Sequence, residues 1–123
     1  MKIEVSNGEI IDKLTIVRIK LERIKDESKL SNLQKEYREL RNASANILSE
    51  SDPLYRDLYE INLALWDIED KIRDFERRKD FGGEFIETAR SVYICNDRRS
   101  EIKRQINIRT SSDLIEEKSY EKY

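Results

Sequence analysis

DPLYRDLYEINLALWDIEDKIRDFERRK, residues 52–79, carries apolar side chains at Leu54, Leu58, Ile61, Leu65, Ile68, Ile72 and Phe75. Steps of four and three residues keep one stripe of a helix turned toward a partner. Asp52 is placed to cap the start, and Pro53 suits a first helical turn. A helix of this length runs roughly 40 Å at about 1.5 Å per residue. Short elements cannot cover it, so the other helices are expected to lie along it.

Working outward, Ser6 and Glu9 have the spacing of a capping box that opens a helix over 7–25. Its main stripe is Ile10, Leu14, Val17, Leu21 and Ile24, while Ile11, Ile16 and Ile19 lie on other sides. A helix apolar around much of its circumference is buried on more than one side. Either it is central to the bundle or its second face meets another subunit. A second helix is predicted over 29–48, with Leu30, Leu33, Tyr37, Leu40, Ser44 and Ile47 as its stripe and Asp26 or Ser28 as cap. Asn42, Ser44, Asn46 and Ser49 weaken its end. The long third helix takes 53–79. Gly82 or Gly83 is expected to adopt the left-handed conformation that ends it. The fourth helix covers 84–108, with Phe85, Ala89, Val92 and Ile106 inward, Cys95 and Ile102 at the margin, and a short tail over 111–123. The expected fold is all-α in one domain: an antiparallel four-helix bundle, or paired long helical hairpins with coiled-coil-like packing.

Composition limits the function classes. Of 123 residues, 41% are charged and 37% hydrophobic, with a net charge of -2 from interleaved signs. That balance carries no electrostatic footprint for nucleic acid or a membrane. There is no histidine, and the one cysteine, Cys95, rules out an intramolecular disulfide. No signal peptide or apolar span of about 18 residues is present, so a cytoplasmic protein is expected. Cys95 reads as a small core residue, and Tyr55, Tyr59, Tyr120 and Tyr123 as surface tyrosines.

The main exception to the apolar pattern is Asn96, in the inner stripe of the fourth helix, with Arg99 one turn on. If helices three and four fold back at 80–83, residues equidistant from the turn sit level. Asn96 then faces Asp67, and Asn62, Trp66, Glu69 and Asp70 are near. The expected site is a polar layer of Asn62, Trp66, Glu69, Asp70, Asn96 and Arg99, in which Asn96 and Arg99 meet Glu69 or Glu60 beneath the indole. Buried polar groups need partners, and a bidentate arginine–carboxylate pair satisfies several. Such a layer fixes register in a bundle or lines a ligand pocket, the third alternative being plain solvent exposure of these groups. Glu36-x-x-Glu39 and Asp67-x-x-Asp70 have a spacing that resembles the carboxylates of all-helical nucleotide pyrophosphatases. Pairs three apart arise freely among 26 acidic residues, so no metal, cofactor or catalytic residue is assigned.

GEIIDKLTI, ALWDIEDKIRD, DFGGEFIETARSVYICNDRR and EEKSY together resemble a bacterial and marine-phage family of small helical proteins known only as a domain of unknown function. The resemblance implies one domain ending at the EEKSY tail, and no known activity, substrate or catalytic residue. It marks Glu9, Asp12, Lys13, Trp66, Glu69, Asp70, Arg73, Asn96, Asp97, Arg98, Lys118 and Tyr120 as motif positions. Some members lie near genes for sugar transfer. The segment NIRTSSDLI departs from the more apolar, glycine-containing run such proteins show. The leading functional expectation is a non-enzymatic interaction or adaptor module with a protein partner or self-association through helix one. The alternatives are a nucleotide or sugar-nucleotide binding protein or enzyme, and a structural subunit of a larger assembly.

Overall fold

The computed structural model describes all 123 residues and consists of four helices with no strand. They are α1 (Asn7–Arg23), α2 (Glu27–Ser44), α3 (Pro53–Arg78) and α4 (Gly83–Arg109). α2 stops at Ser44, four residues before the predicted end, and Ala45–Ile47 forms a turn. The polar run that weakens this end is the reason: Ser44 Oγ donates back to the Arg41 carbonyl at 3.0 Å, a bond that competes with helix continuation.

Three caps sit where the sequence places them. Ser6 Oγ accepts from the Glu9 amide at 3.1 Å, Asp26 from Ser28 at 3.0 Å and Asp52 from Leu54 at 2.9 Å. The capping box at Ser6 is only half formed, because the Glu9 carboxylate turns to Lys103 instead. The glycine expectation at the α3 end is overturned. Lys79 takes the left-handed conformation, with φ 54° and ψ 36°, and no glycine has positive φ. Lys79 N–H bonds to the Glu76 carbonyl and Asp80 N–H to that of Phe75, the two bonds of a Schellman turn. The reversal thus begins three residues before Gly82, which serves as the extended N-cap of α4.

α1 is the central helix. It lies against α2, α3 and α4, and α3 lies against α4, whereas α2 approaches only α1. The layout is therefore three mutually packed helices with α2 laid on the outside of α1. Contacts at both ends fix the α3–α4 pair: Asp52 pairs with Arg109, and Phe75 meets Phe85 edge-on at 6.1 Å. The core comprises Ile11, Leu14, Tyr55, Leu58, Ile102 and Ile106. Of the expected α1 stripe Leu14 and Val17 are buried while Ile10, Leu21 and Ile24 are half-buried, and Ile11 and Ile19, placed on other sides, are buried as deeply. The chain itself covers those sides. Ile102 is core rather than marginal, and Tyr55 is fully buried rather than a surface tyrosine. No helix is long and apolar enough to cross a membrane.

A second α1 stripe explains how the helices come so close. Gly8, Asp12, Thr15 and Ile19 follow one another at steps of four, three and four, and all are buried. A Cβ on Gly8 would stand 2.6 Å from the Lys103 carbonyl and 3.0 Å from Asn107 Oδ1. Only glycine permits this approach of α1 to α4. The α1 amides there are capped by the end of α4 and the segment after it: Gly8 N–H donates to Asn107 Oδ1 at 2.6 Å and Asn7 N–H to Ser112 Oγ at 3.0 Å.

Two stability changes follow. Gly8→Ala is expected to lower stability by about 1–3 kcal/mol through overpacking against a backbone carbonyl. Lys79→Gly is expected to raise it by about 0.5–1 kcal/mol, since relief of left-handed strain exceeds the added chain entropy and the loss of an exposed Lys79–Glu76 pair. Denaturant midpoints of the two variants check both signs.

Candidate functional site

The buried charge of the molecule is Asp12, whose side chain is 1% exposed. Its Oδ1 accepts from Asn62 Nδ2 at 2.9 Å and from Arg99 Nε at 2.8 Å. Its Oδ2 accepts from Arg99 Nη2 and lies 3.8 Å from Lys103 Nζ. Asn62 Nδ2 also donates to Thr15 Oγ1 at 2.9 Å, and Thr15 in turn donates to the Asp12 carbonyl at 2.7 Å. No buried side-chain nitrogen or oxygen lacks a partner. A carboxylate out of water is tolerated only when paired and hydrogen-bonded in this way. The same pairing raises the Arg99 guanidinium, first through its hydrogen bond to Asp12 and against the opposing effect of burial.

The network continues outward along α4. Lys103 Nζ donates to Glu9 Oε2 at 2.6 Å and lies 3.4 Å from Glu116 Oε2. Glu116 also pairs with Lys118 at 3.3 Å. Its carboxyl is held below the usual range, chiefly by the charge of Lys103. Because that pKa is lowered, this contact is complete above the ordinary carboxylate range and is lost as pH falls through the lowered value. The tail therefore docks: Arg104 pairs with Glu117 at 3.0 Å, and Tyr93 meets Tyr123 edge-on at 5.0 Å.

The six residues expected to form a polar layer do come together, but as the lining of an open groove rather than a closed layer. Asn62, Trp66, Glu69, Asp70, Asn96 and Arg99 line a cavity of about 560 Å³ between α1, α3 and α4, with Lys20 and Arg73 at its rim. The partner assigned to Arg99 is corrected. Glu69 and Glu60 are exposed; Glu69 pairs with Arg73 at 3.5 Å, and the carboxylate that holds Arg99 is Asp12 of α1. Nor does Asp67 face Asn96, since it pairs with Arg23 of α1 at 3.3 Å. Apolar periodicity could not reveal Asp12, because its stripe contains one large apolar residue in four. The available signal was its place among the motif positions of the family resemblance.

The groove divides into fixed and free groups. Arg99 and Asn62 are held from behind by Asp12. Lys20, Trp66, Asp70 and Asn96 line the same cavity without any side-chain hydrogen bond or ion pair to the chain. No group of three or more histidine, cysteine, aspartate or glutamate side chains stands in an arrangement that could hold a metal ion.

Removing Asp12 strands Arg99 and half of the bonds of Asn62. Asp12→Ala is expected to cost about 2–4 kcal/mol, somewhat below a fully buried pair because the Arg99 side chain is 28% exposed. Asp12→Leu combined with Arg99→Met should recover most of that loss, which a double-mutant cycle by urea unfolding measures.

No curated protein and no solved structure gave a match to this sequence. The profile of the family of unknown function DUF6165 matches residues 1–123, and the chain belongs to that family.

Proposed function

We propose that this protein is a binding module for a small polar ligand of the nucleotide or sugar-nucleotide class, received in the groove beside Trp66. In this reading α3 and α4 run antiparallel and, with α1, form the walls. The observation that carries it is the set of unpartnered groups, Lys20, Trp66, Asp70 and Asn96, in one cavity around a guanidinium already fixed in place. A half-buried indole offers a flat face to a base or sugar ring. Asn96 supplies an amide, Asn62 its remaining carbonyl oxygen, Asp70 accepts from hydroxyls, and Lys20 supplies a cation. Binding sites of this kind combine an apolar surface with a few convergent polar groups. Pre-fixed groups bind with less loss of conformational freedom.

A second reading, the interaction module, draws on a different observation. Ile86, Tyr93 and Ile94 are exposed on one face of α4. An apolar patch of this kind suits a protein partner. It has no bearing on the groove, so one experiment separates the two.

Trp66 is the single tryptophan, so its emission reports on the groove without labelling. Titration with nucleosides, nucleoside diphosphates and nucleoside diphosphate sugars is expected to shift Trp66 emission. A ligand at about 100 times its Kd should also raise stability by about 2.7 kcal/mol in thermal melting. Lys20→Ala and Asn96→Ala should weaken the response while leaving the unliganded stability within about 0.5 kcal/mol of wild type. A flat panel in both measurements would reject the ligand site and favour the α4 apolar face.

A further inference from the structure

We infer that the docked tail completes an oxyanion subsite at Lys103 and Lys118, which Glu116 occupies in the free protein and which the phosphate of a bound ligand takes over. The inference rests on reading the Trp66 groove as a ligand site and assigns that ligand its anionic end.

A second cavity of about 600 Å³ lies between α4 and the tail, lined among others by Asn96, Arg99, Lys103, Lys118 and Tyr120. Asn96 and Arg99 line both cavities, so the two grooves meet at this edge of α4. A ligand with its ring against Trp66 and a chain of phosphates reaches across that edge to the lysines.

Next to this cavity, though not in its lining, one carboxylate bridges two of the lysines. Glu116 Oε2 is 3.4 Å from Lys103 Nζ, and Glu116 Oε1 is 3.3 Å from Lys118 Nζ. Two cations converging on one oxyanion is the arrangement by which lysines bind phosphate. Arg99, Lys103 and Lys118 are already matched by Glu9, Asp12 and Glu116, and the carboxylates of Asp97 and Glu121 line the cavity as well. An added anion therefore enters by exchange rather than by simple attraction. Burial decides which carboxylate yields. Asp12 is 1% exposed and bound on both oxygens, and Glu9 is 26% exposed on the α1 helix. Glu116 is 47% exposed and lies on a non-helical segment that can move without unpacking a helix.

Pyrophosphate is the probe for this subsite, with wild type, Glu116→Gln and Lys118→Ala compared by calorimetry at low ionic strength. Both substitutions are on the exposed tail, so unliganded melting temperatures should not change. Glu116→Gln removes the competing charge and should tighten pyrophosphate binding about threefold, while Lys118→Ala should weaken it about threefold. Affinities that do not differ among the three proteins, or absence of binding in all three, would overturn the subsite. The groove reading is tested apart, by the response of Trp66 to unphosphorylated nucleosides. A nucleoside response with no variant effect on pyrophosphate sinks the subsite and leaves the groove. The reverse pattern supports the subsite and sinks the groove.

Discussion

A carboxylate with almost no access to water governs this structure. Asp12 must find its partners from other helices, and they come from two: Asn62 on α3 and Arg99 on α4. The desolvation of such a group nearly cancels its pairing energy, so the network adds little to net stability. What it does is select. A slide of either helix by one turn leaves an unpaired buried charge, at a cost of several kcal/mol. The relative heights of α1, α3 and α4 are thereby set, and Gly8 allows α1 close enough to α4 for the pairing to form.

The same constraint shapes the surface. Arg99 and Asn62 face a groove, but their orientation is dictated from its inner side by Asp12. They stand ready without a ligand. The remaining lining groups have no such anchor and are left to water or to whatever binds. Farther along α4 the charges alternate between helix and tail, from Lys103 to Glu116 and from Arg104 to Glu117. An exposed network of this kind contributes little stability. It holds the tail against α4, where the tail walls a second cavity.

The helices are not equivalent. Only 18 of 123 residues are buried, and most of the apolar core is gathered where α1, the first half of α3 and the last part of α4 meet. Phe75, Phe81 and Phe85 close the opposite end of the α3–α4 pair with edge-on contacts. α2 adds partly buried Tyr37 and Leu40 to the core from outside, resting on α1 alone. The central position of α1 answers why its sequence is apolar on more than one side.

Local signals were legible because their physics is local. The all-helical class, the four segments within a few residues, the caps at Ser6, Asp26 and Asp52, and the turn after α3 all follow from periodicity, capping chemistry and propensity. The sequence expectation placed Asn96 and Arg99 near Trp66 and Asn62 because both interrupt an apolar stripe, but it did not include the wall that α1 supplies through Ile16, Ile19 and Lys20. The pairing was not legible. Glu69 lies closer to Arg99 in the hairpin reading, yet it stays in water, where a carboxylate suffers no desolvation. The pairing of Asp12 depends on which face of α1 meets α4, a choice made by the close approach at Gly8. Nor was it legible that Lys79 would take the left-handed turn ahead of two glycines. The sequence by itself determined which segments are helices and which residues are out of place on them. Only the tertiary structure decided their partners, because a buried charge selects among partners by geometry and desolvation, and neither exists until the helices are packed.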